Sequence, residues 1–529
     1  MRLNDVSTAH HVFYRGVSFM TTAGRVVTLF TCVFALCSCS STDELVQAPT
    51  SSIYLEQEIH ITDSALYFDG EKMPDVREAL ASNDSPDDKY NYMYGSAIVP
   101  HGDAIKTYKH YVFMTWYRGG KHDRHVMLSR LNTKTGRLVH IEFPHQHTGL
   151  VGRWWIGETH NTIALGISPK DETIHLVFDL HAYNRNSDTG GNGSFKKDYF
   201  RYSYSVAGAA SAADEAFDLS LFVRDTSEHS EGDDDYKHLS MTGSEDHDAH
   251  AKLTYPKFFL NEQGDLFFYI RQGTSHDGKG IFTSYISDGV WTSFNSINKL
   301  NVKEDGLEFN WSNYGNMKFA DGKLGFAFQR RLNNKTDRYR YQNGVYFLYS
   351  DDPLGQSAWR DYRGNPIDLP LIDATPALVT EPGDWVETQQ VNGVQITGGF
   401  DWTITENGDV HIISRVLDRE NKHTVHLHHY KPAGHTEFIT TSDFVGADNL
   451  YTSGGNIYVI GLENGQPYVE RASGGTNEFE RVYQGTRRSS NFTKGIVHVK
   501  NGKLYYYLLA DGVGDKRTTY LQIINLNDL

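Results

Sequence analysis

Four side chains between Trp154 and Gly280 could carry proton chemistry on an acidic sugar: His160 and His181, then Tyr255 and Arg271, sixteen positions apart. Elimination across a uronic acid removes a weakly acidic proton at C5, next to a carboxylate whose charge opposes the developing enolate. A guanidinium answers that best, because it stays charged and meets a carboxylate with two parallel hydrogen bonds. Preorganised charge of this kind is usually the largest catalytic contribution. The reaction also needs a base for C5 and an acid for the leaving O4. Histidine, with an ordinary pKa of about 6.5, suits either part, whereas tyrosine at about 10 must be lowered by a nearby cation to act as base. Arg271, on a strand beside that of Tyr255, is expected to lower it.

The elements that must hold these residues read as strands. HNTIALGI begins at His160, TIHLVFDLH ends at His181, and LTYPKFFL and LFFYIRQGTSHDG carry Tyr255 and Arg271. Along the chain, short runs rich in Tyr, Phe, Val and Ile alternate with Asn-Gly and Asp-Gly turns, the hairpin signal of all-β proteins. Seven such units centre near Tyr111, His175, Gly264, Gly322, Gly408, Gly455 and Gly502, the last three at an interval of 47 residues. That interval is the period of a four-stranded blade, and favours a seven-bladed β-propeller of antiparallel blades over a barrel or sandwich. Helical periodicity is confined to KMPDVREALASN near Val76.

The N-terminus reads as an export signal. Arg15 and Arg25 precede VVTLFTCVFALCSC, too short to span a bilayer and of the right length for a signal core. Leu36-Cys37-Ser38-Cys39 resembles the bacterial lipoprotein box, which sets residues 1–38 as a lipoprotein-type signal, Cys39 as the lipid anchor, 39–52 as a flexible tether and 53–529 as the propeller. The expected location is the outer membrane or cell surface, with secretion as the alternative. Cys32, Cys37 and Cys39 are the three cysteines, so the folded part has no disulfide framework and no thiolate zinc site. A formal charge of −16 argues against nucleic acid as partner. At high ionic strength the repulsion is screened to a short range, and a local basic cleft can still hold an acidic polymer. A monomer is expected.

Other residues carry weaker signals. His175, between Ile174 and Leu176, reads as a structural histidine. His276 and Asp277 follow Arg271 closely enough to touch the same substrate, and Arg330 and Arg331 open a basic run through Lys335, Arg338 and Arg340 that suits sulfate groups. Asp246, His247, Asp248 and His250 offer a structural cation site in a long polar insertion, 207–250, while catalysis needs no cofactor if Arg271 neutralises the acid group. Trp154, Trp155, Trp311 and Trp402 are candidates for stacking on sugar faces.

The positions His160, Asn161, His175, His181, Thr254, Tyr255, Pro256, Tyr269, Arg271 and Gly273 together resemble the BNR-like propeller polysaccharide lyases, the ulvan lyases most of all. That resemblance covers Trp154 to Gly280. It implies β-elimination of a sulfated rhamnose and uronic acid polymer, ulvan, with His160 and Tyr255 handling protons, His181 assisting and Arg271 facing the uronate. Asn161, His276, Asp277, Arg330 and Arg331 are then the candidate substrate contacts. Two rivals are a sialidase-like hydrolase, for which Ser350–Gly355 ending at Trp359 offers a stretched Asp-box turn, and a noncatalytic glycan-binding lipoprotein.

Overall fold

The computed structural model describes residues 53–81, 89–150, 152–178, 180–181, 201–227, 230, 232–237, 239–242 and 252–526. The signal, Cys39, the tether up to residue 52 and the Asp246–His250 cluster lie outside them. The described chain is all-β, belongs to one compact unit, Ser51–Leu529, and has a single short α-helix, Val76–Ala81, where the helical pattern fell. Among the described residues no helix is long and apolar enough to cross a membrane.

Antiparallel sheets follow one another along the chain. The strands Ile105–Tyr108, Tyr111–Tyr117, His125–Asn132 and Leu138–Gln146 pair in that order. Ile163–Ile167, Ile174–Phe178 and Tyr202–Tyr204 form the next sheet. Leu253–Leu260, Leu266–Thr274 and Asp277–Ser287 are joined to Trp311–Ala320, Lys323–Leu332, Asn343–Ser350 and Trp359–Asp361 by one parallel bridge, Gly278 to Ser312, so that ten strands count as one sheet. Two more sheets cover 394–441 and 451–484. In the last, Tyr54–Leu66 pairs with Lys516–Asn525, so the first described strand completes a sheet made of the C-terminal strands.

Burial explains the composition of each strand. Tyr111–Tyr117 is buried throughout and reads as a continuous apolar run, whereas the edge strand Leu138–Gln146 alternates buried and exposed positions along its second half. The core is divided into clusters shared by strand groups consecutive in sequence: Ala164 and Val177 pack with Phe258 and Phe268, and Phe267 with Phe326 and Leu348. Gly408 and Gly502 have positive φ in hairpin turns between paired strands of their sheets, where a Cβ would be strained, and Gly455 follows Gly454 in the equivalent turn. The 47-residue interval is thus the spacing of equivalent turns.

Part of the polar insertion is packed instead of solvated. Phe217, Phe222 and Tyr236 enter the core beside the 105–146 sheet, and the fully buried Arg130 lies over the Phe217 ring at 3.9 Å while its Nη2 donates to Asp214 at 2.9 Å.

Candidate active site

Strand pairing brings the two histidines together. Ile163 is paired with Phe178, so the residues just before the first strand lie beside those just after the second, and the 21-residue gap between His160 and His181 closes to 4.6 Å between ring centroids. Asn161 fixes the contact, its Oδ1 accepting from the His181 backbone N–H at 2.6 Å.

Between the two rings sits Glu158, fully buried. Its Oε1 accepts from the His160 backbone N–H at 2.8 Å and from His160 Nδ1 at 2.7 Å, and its Oε2 from His181 Nδ1 at 3.1 Å. A carboxylate can only accept, so both Nδ1 atoms donate to it, and whenever either ring is neutral its lone pair is on Nε2. Burial pushes the Glu158 carboxyl up, but the adjacent His181 charge and the bonds from both rings outweigh it and hold the group at about 2. The carboxylate and the two imidazoles could also hold a metal ion, their ligand atoms lying within 4.8 Å of one another.

Tyr255 is delivered by a β-bulge. Thr254 pairs with Arg271 and Lys257 with Tyr269, so Tyr255 and Pro256 together oppose Ile270. Pro256 has no N–H to lose from the ladder, and Tyr255 takes φ 61°, a left-handed conformation that costs an aromatic residue about 1–3 kcal/mol. Its ring meets His160 edge-on at 5.7 Å. Although Tyr255 is 41% exposed toward the cleft, desolvation raises its pKa to about 12, with Tyr314 adding and Arg271 opposing. The lowering expected of Arg271 is present but smaller than the desolvation, and the resting tyrosine is a protonated one.

Arg271 is 4% exposed and held from several sides. Nε donates to Ser312 Oγ at 2.9 Å and to Asn313 O at 3.1 Å, Nη2 to Ser312 Oγ at 2.6 Å and to Thr274 O, and Nη1 to Thr254 Oγ1 at 3.3 Å. The guanidinium carbon lies 4.7 Å from the centroid of the Tyr314 ring. Gly278 makes room for this: a Cβ there would come within 2.6 Å of Arg271 Nη2. All these partners are neutral, and among the described residues no carboxylate pairs with Arg271. A buried, positioned and uncompensated positive charge is therefore part of the wall.

His160, Tyr255, Arg271 and Tyr314 line one cavity of about 900 Å³. His181 lies behind His160, outside the lining. Asn161, expected to touch substrate, is fully buried and spends its carbonyl on His181, which makes it a support for the histidine. His276, Asp277, Arg330 and Arg331 are outside the lining too. Asp277 holds the Asn301 backbone N–H and Asn310, Arg331 Nε approaches His276 Nε2 at 3.3 Å, and Arg330 lies 3.8 Å from Asp373. Trp311 and Trp402 are core residues, and Trp154 packs under Arg124. His175 is structural, as its position suggested, with Thr173 and Tyr202 on its two ring nitrogens. Glu158, Tyr94, whose ring stands 4.3 Å from His160, and Tyr314 escaped the sequence reading. The Glu-x-His spacing before the strand was the available signal for Glu158.

A model of the BNR repeat-containing family matches residues 111–442. The chain is 50% identical over 485 residues to an ulvan lyase, long isoform, of Alteromonas sp., covering 90% of this chain and 48% of that one. It is 47% identical over 484 residues to the ulvan lyase, short isoform, of Alteromonas sp. (strain LOR), covering 90% and 91%. The chain spans about half the length of the long-isoform relatives it matches. A crystal structure of the polysaccharide lyase Uly1 superimposes with a TM-score of 0.86 at 58% identity, over 89% of this chain and 100% of that one.

Proposed function

The chain belongs to the BNR repeat-containing family and, within it, to the ulvan lyases, and from that premise we propose that it cleaves a sulfated, uronic-acid-containing algal polysaccharide, ulvan, by β-elimination. The observation that carries the reading is Arg271, a buried guanidinium with no carboxylate of its own, in the same cavity as His160 and Tyr255.

In this scheme the uronate carboxylate lies against Arg271, which removes the charge that opposes enolate formation. His160 Nε2 takes the proton from C5, because Glu158 keeps the other ring nitrogen protonated. The C5–H electron pair becomes the C4–C5 double bond, the C4–O4 bond breaks, and Tyr255 gives its proton to the leaving oxygen. His181 supports the carboxylate and the ring of His160. With the charge met by Arg271, the scheme needs no metal.

The fold proposed around this site is a seven-bladed propeller. Support comes from the serial sheets, from the core cluster in which Leu521 and Ile523 of the last sheet meet Phe113 and Val126 of the first four-stranded one, and from the sparse parallel bridging, Gly278–Ser312 and Asn298–Leu371, between two otherwise separate blades. Export with a lipid on Cys39, a monomeric state, and His276, Arg330 and Arg331 as outlying contacts to the polymer belong to the same proposal.

A sialidase-like hydrolase fits less well. The turn Ser350–Trp359 is a clasp, Asp352 accepting from the Leu354 and Gln356 backbone N–H groups and Trp359 Nε1 donating to Gly355 O, and it lies outside the cavity lining. The two lining carboxylates, Asp103 and Asp401, are each bound to a lysine, which leaves no free acid pair. The test is incubation with ulvan while following the near-ultraviolet absorbance of an unsaturated uronyl end. The wild type should produce it and Tyr255→Phe should reduce it roughly a hundredfold with an unchanged Tm. New reducing ends without absorbance would mean hydrolysis, and binding without either would mean a capture protein.

A further inference from the structure

The wall of the cavity that holds Tyr255 also holds a charge that the scheme above does not use. Lys257 stands two positions beyond Tyr255 on the same strand and lines the same cavity. Its neighbours are ion-paired without it. Asp103 accepts from Lys106 Nζ and from the Phe258 backbone N–H at 2.7 Å. Asp401 accepts from Lys318 Nζ at 2.8 Å, from Asn316 Nδ2 at 3.2 Å and from the Leu450 backbone N–H at 3.0 Å. Lys257 is within electrostatic reach of both carboxylates, and its Nζ has no hydrogen bond or ion pair among the described residues.

The surroundings reinforce that surplus. The lining contains five cations, Lys106, Lys257, Arg271, Lys318 and Lys500, against two carboxylates, Asp103 and Asp401, in a chain of formal charge −16. Lys257 lines the cavity, yet protein encloses the side chain closely enough that desolvation, with Lys318 next, depresses its pKa to about 8, against the pull of Asp401 and Asp103. An unpaired ammonium at such a position is costly unless something negative arrives to share it.

We propose that Lys257 is the centre of a second anion station in this cavity, taking an oxyanion substituent, a sulfate ester or a second carboxylate, from the same saccharide chain whose uronate lies against Arg271. The identity of that chain rests on the function proposed above; the station itself does not. Its role is to fix how far the polymer enters, so that the linkage to be cut stops beside His160 and Tyr255. Lys257 touches substrate away from the reacting atoms and sets affinity and sulfation preference.

Inorganic sulfate is the probe. At low ionic strength sulfate should raise the Tm of the wild type and of Arg271→Ala, while Lys257→Met should bind it about tenfold more weakly and Lys257→Arg should restore binding. Sodium acetate separates the two sources: protection by sulfate alone assigns a sulfate ester, protection by acetate alone a carboxylate. In turnover, Lys257→Met should raise KM about tenfold on the native polymer, leave kcat in place and leave KM on the desulfated polymer unchanged if the ligand is the ester. Should Lys257→Met not fold, Lys257→Gln carries the same comparison with a polar tip. A folded variant that binds sulfate and polymer as the wild type does would overturn the station. Failure of the wild type to cleave ulvan, with sulfate binding intact, would overturn only the function.

Discussion

Two groups of histidines in this molecule have opposite fates. In the sheet of residues 394–441, His411, His428 and His429 are fully buried and every ring nitrogen is occupied. His411 Nε2 accepts from the Gly475 backbone N–H at 3.0 Å, its Nδ1 donates to His428 Nε2 at 2.9 Å, and His428 Nδ1 donates to Asn477 Oδ1 at 2.7 Å. His429 is closed by Ser414 and Thr440. At the cavity, His160 has one nitrogen bound by Glu158 and the other open to the lining. Identical side chains thus become a hydrogen-bond relay in one place and, in the scheme proposed, a proton acceptor in the other, and the difference is a ring nitrogen with no hydrogen-bond partner among the described residues.

The sharpest way to break that comparison is at the open nitrogen. His160→Gln, which keeps a polar group for Glu158, should reduce kcat by roughly a thousandfold or more with a Tm near that of the wild type. Retained activity would return His160 to the structural class. Glu158→Gln leaves both rings but removes the charge that fixes their protons. A loss of kcat on the order of a hundredfold is expected, and a loss confined to stability would make the carboxylate merely a packing group. The reciprocal change, His428→Ala, should leave kcat intact well below Tm while costing about 2 kcal/mol, because His411 and Asn477 lose a buried partner.

A smaller effect lies in acid. Burial depresses His428 to about 4 and His429 to about 3, and desolvation followed by the His428 charge takes His411 well below its ordinary value. A folded pKa below the unfolded one means that the unfolded chain binds more protons between the two. The stability these residues contribute is therefore complete above about pH 6.5 and is lost as pH falls toward those lower values. Thermal melts across that window should show Tm declining on acidification, less steeply in His429→Gln than in the wild type. Equal slopes would remove His429 from the explanation.

Legibility in the sequence followed the range of the interaction. Turn glycines and apolar runs are local, so the hairpins and the spacing of Gly408, Gly455 and Gly502 could be read directly. The proximity of His160 to His181 and of Tyr255 to Arg271 was legible because antiparallel strand pairing is regular. Glu158 was not, since an acidic residue in a turn is ordinary until tertiary packing buries it between two rings. Tyr314 belongs to the next sheet, and nothing local to either residue announces its contact with Arg271. The raised pKa of Tyr255 departs from the sequence expectation for the same reason: the neighbouring cation is visible in the sequence, and the desolvation that outweighs it is not. His276, Asp277, Arg330 and Arg331 are near Arg271 in sequence or charge, but the strand register points them at loops and at one another.

The charge of Arg271 is central to the proposed elimination. Rates of elimination for the wild type and Arg271→Ala should be compared on ulvan and on the same polymer with its uronates converted to methyl esters. The substitution is expected to cost roughly a thousandfold on the acid and far less on the ester, where there is no carboxylate charge to offset. Equal losses on both polymers would mean that the guanidinium does something other than neutralise the uronate.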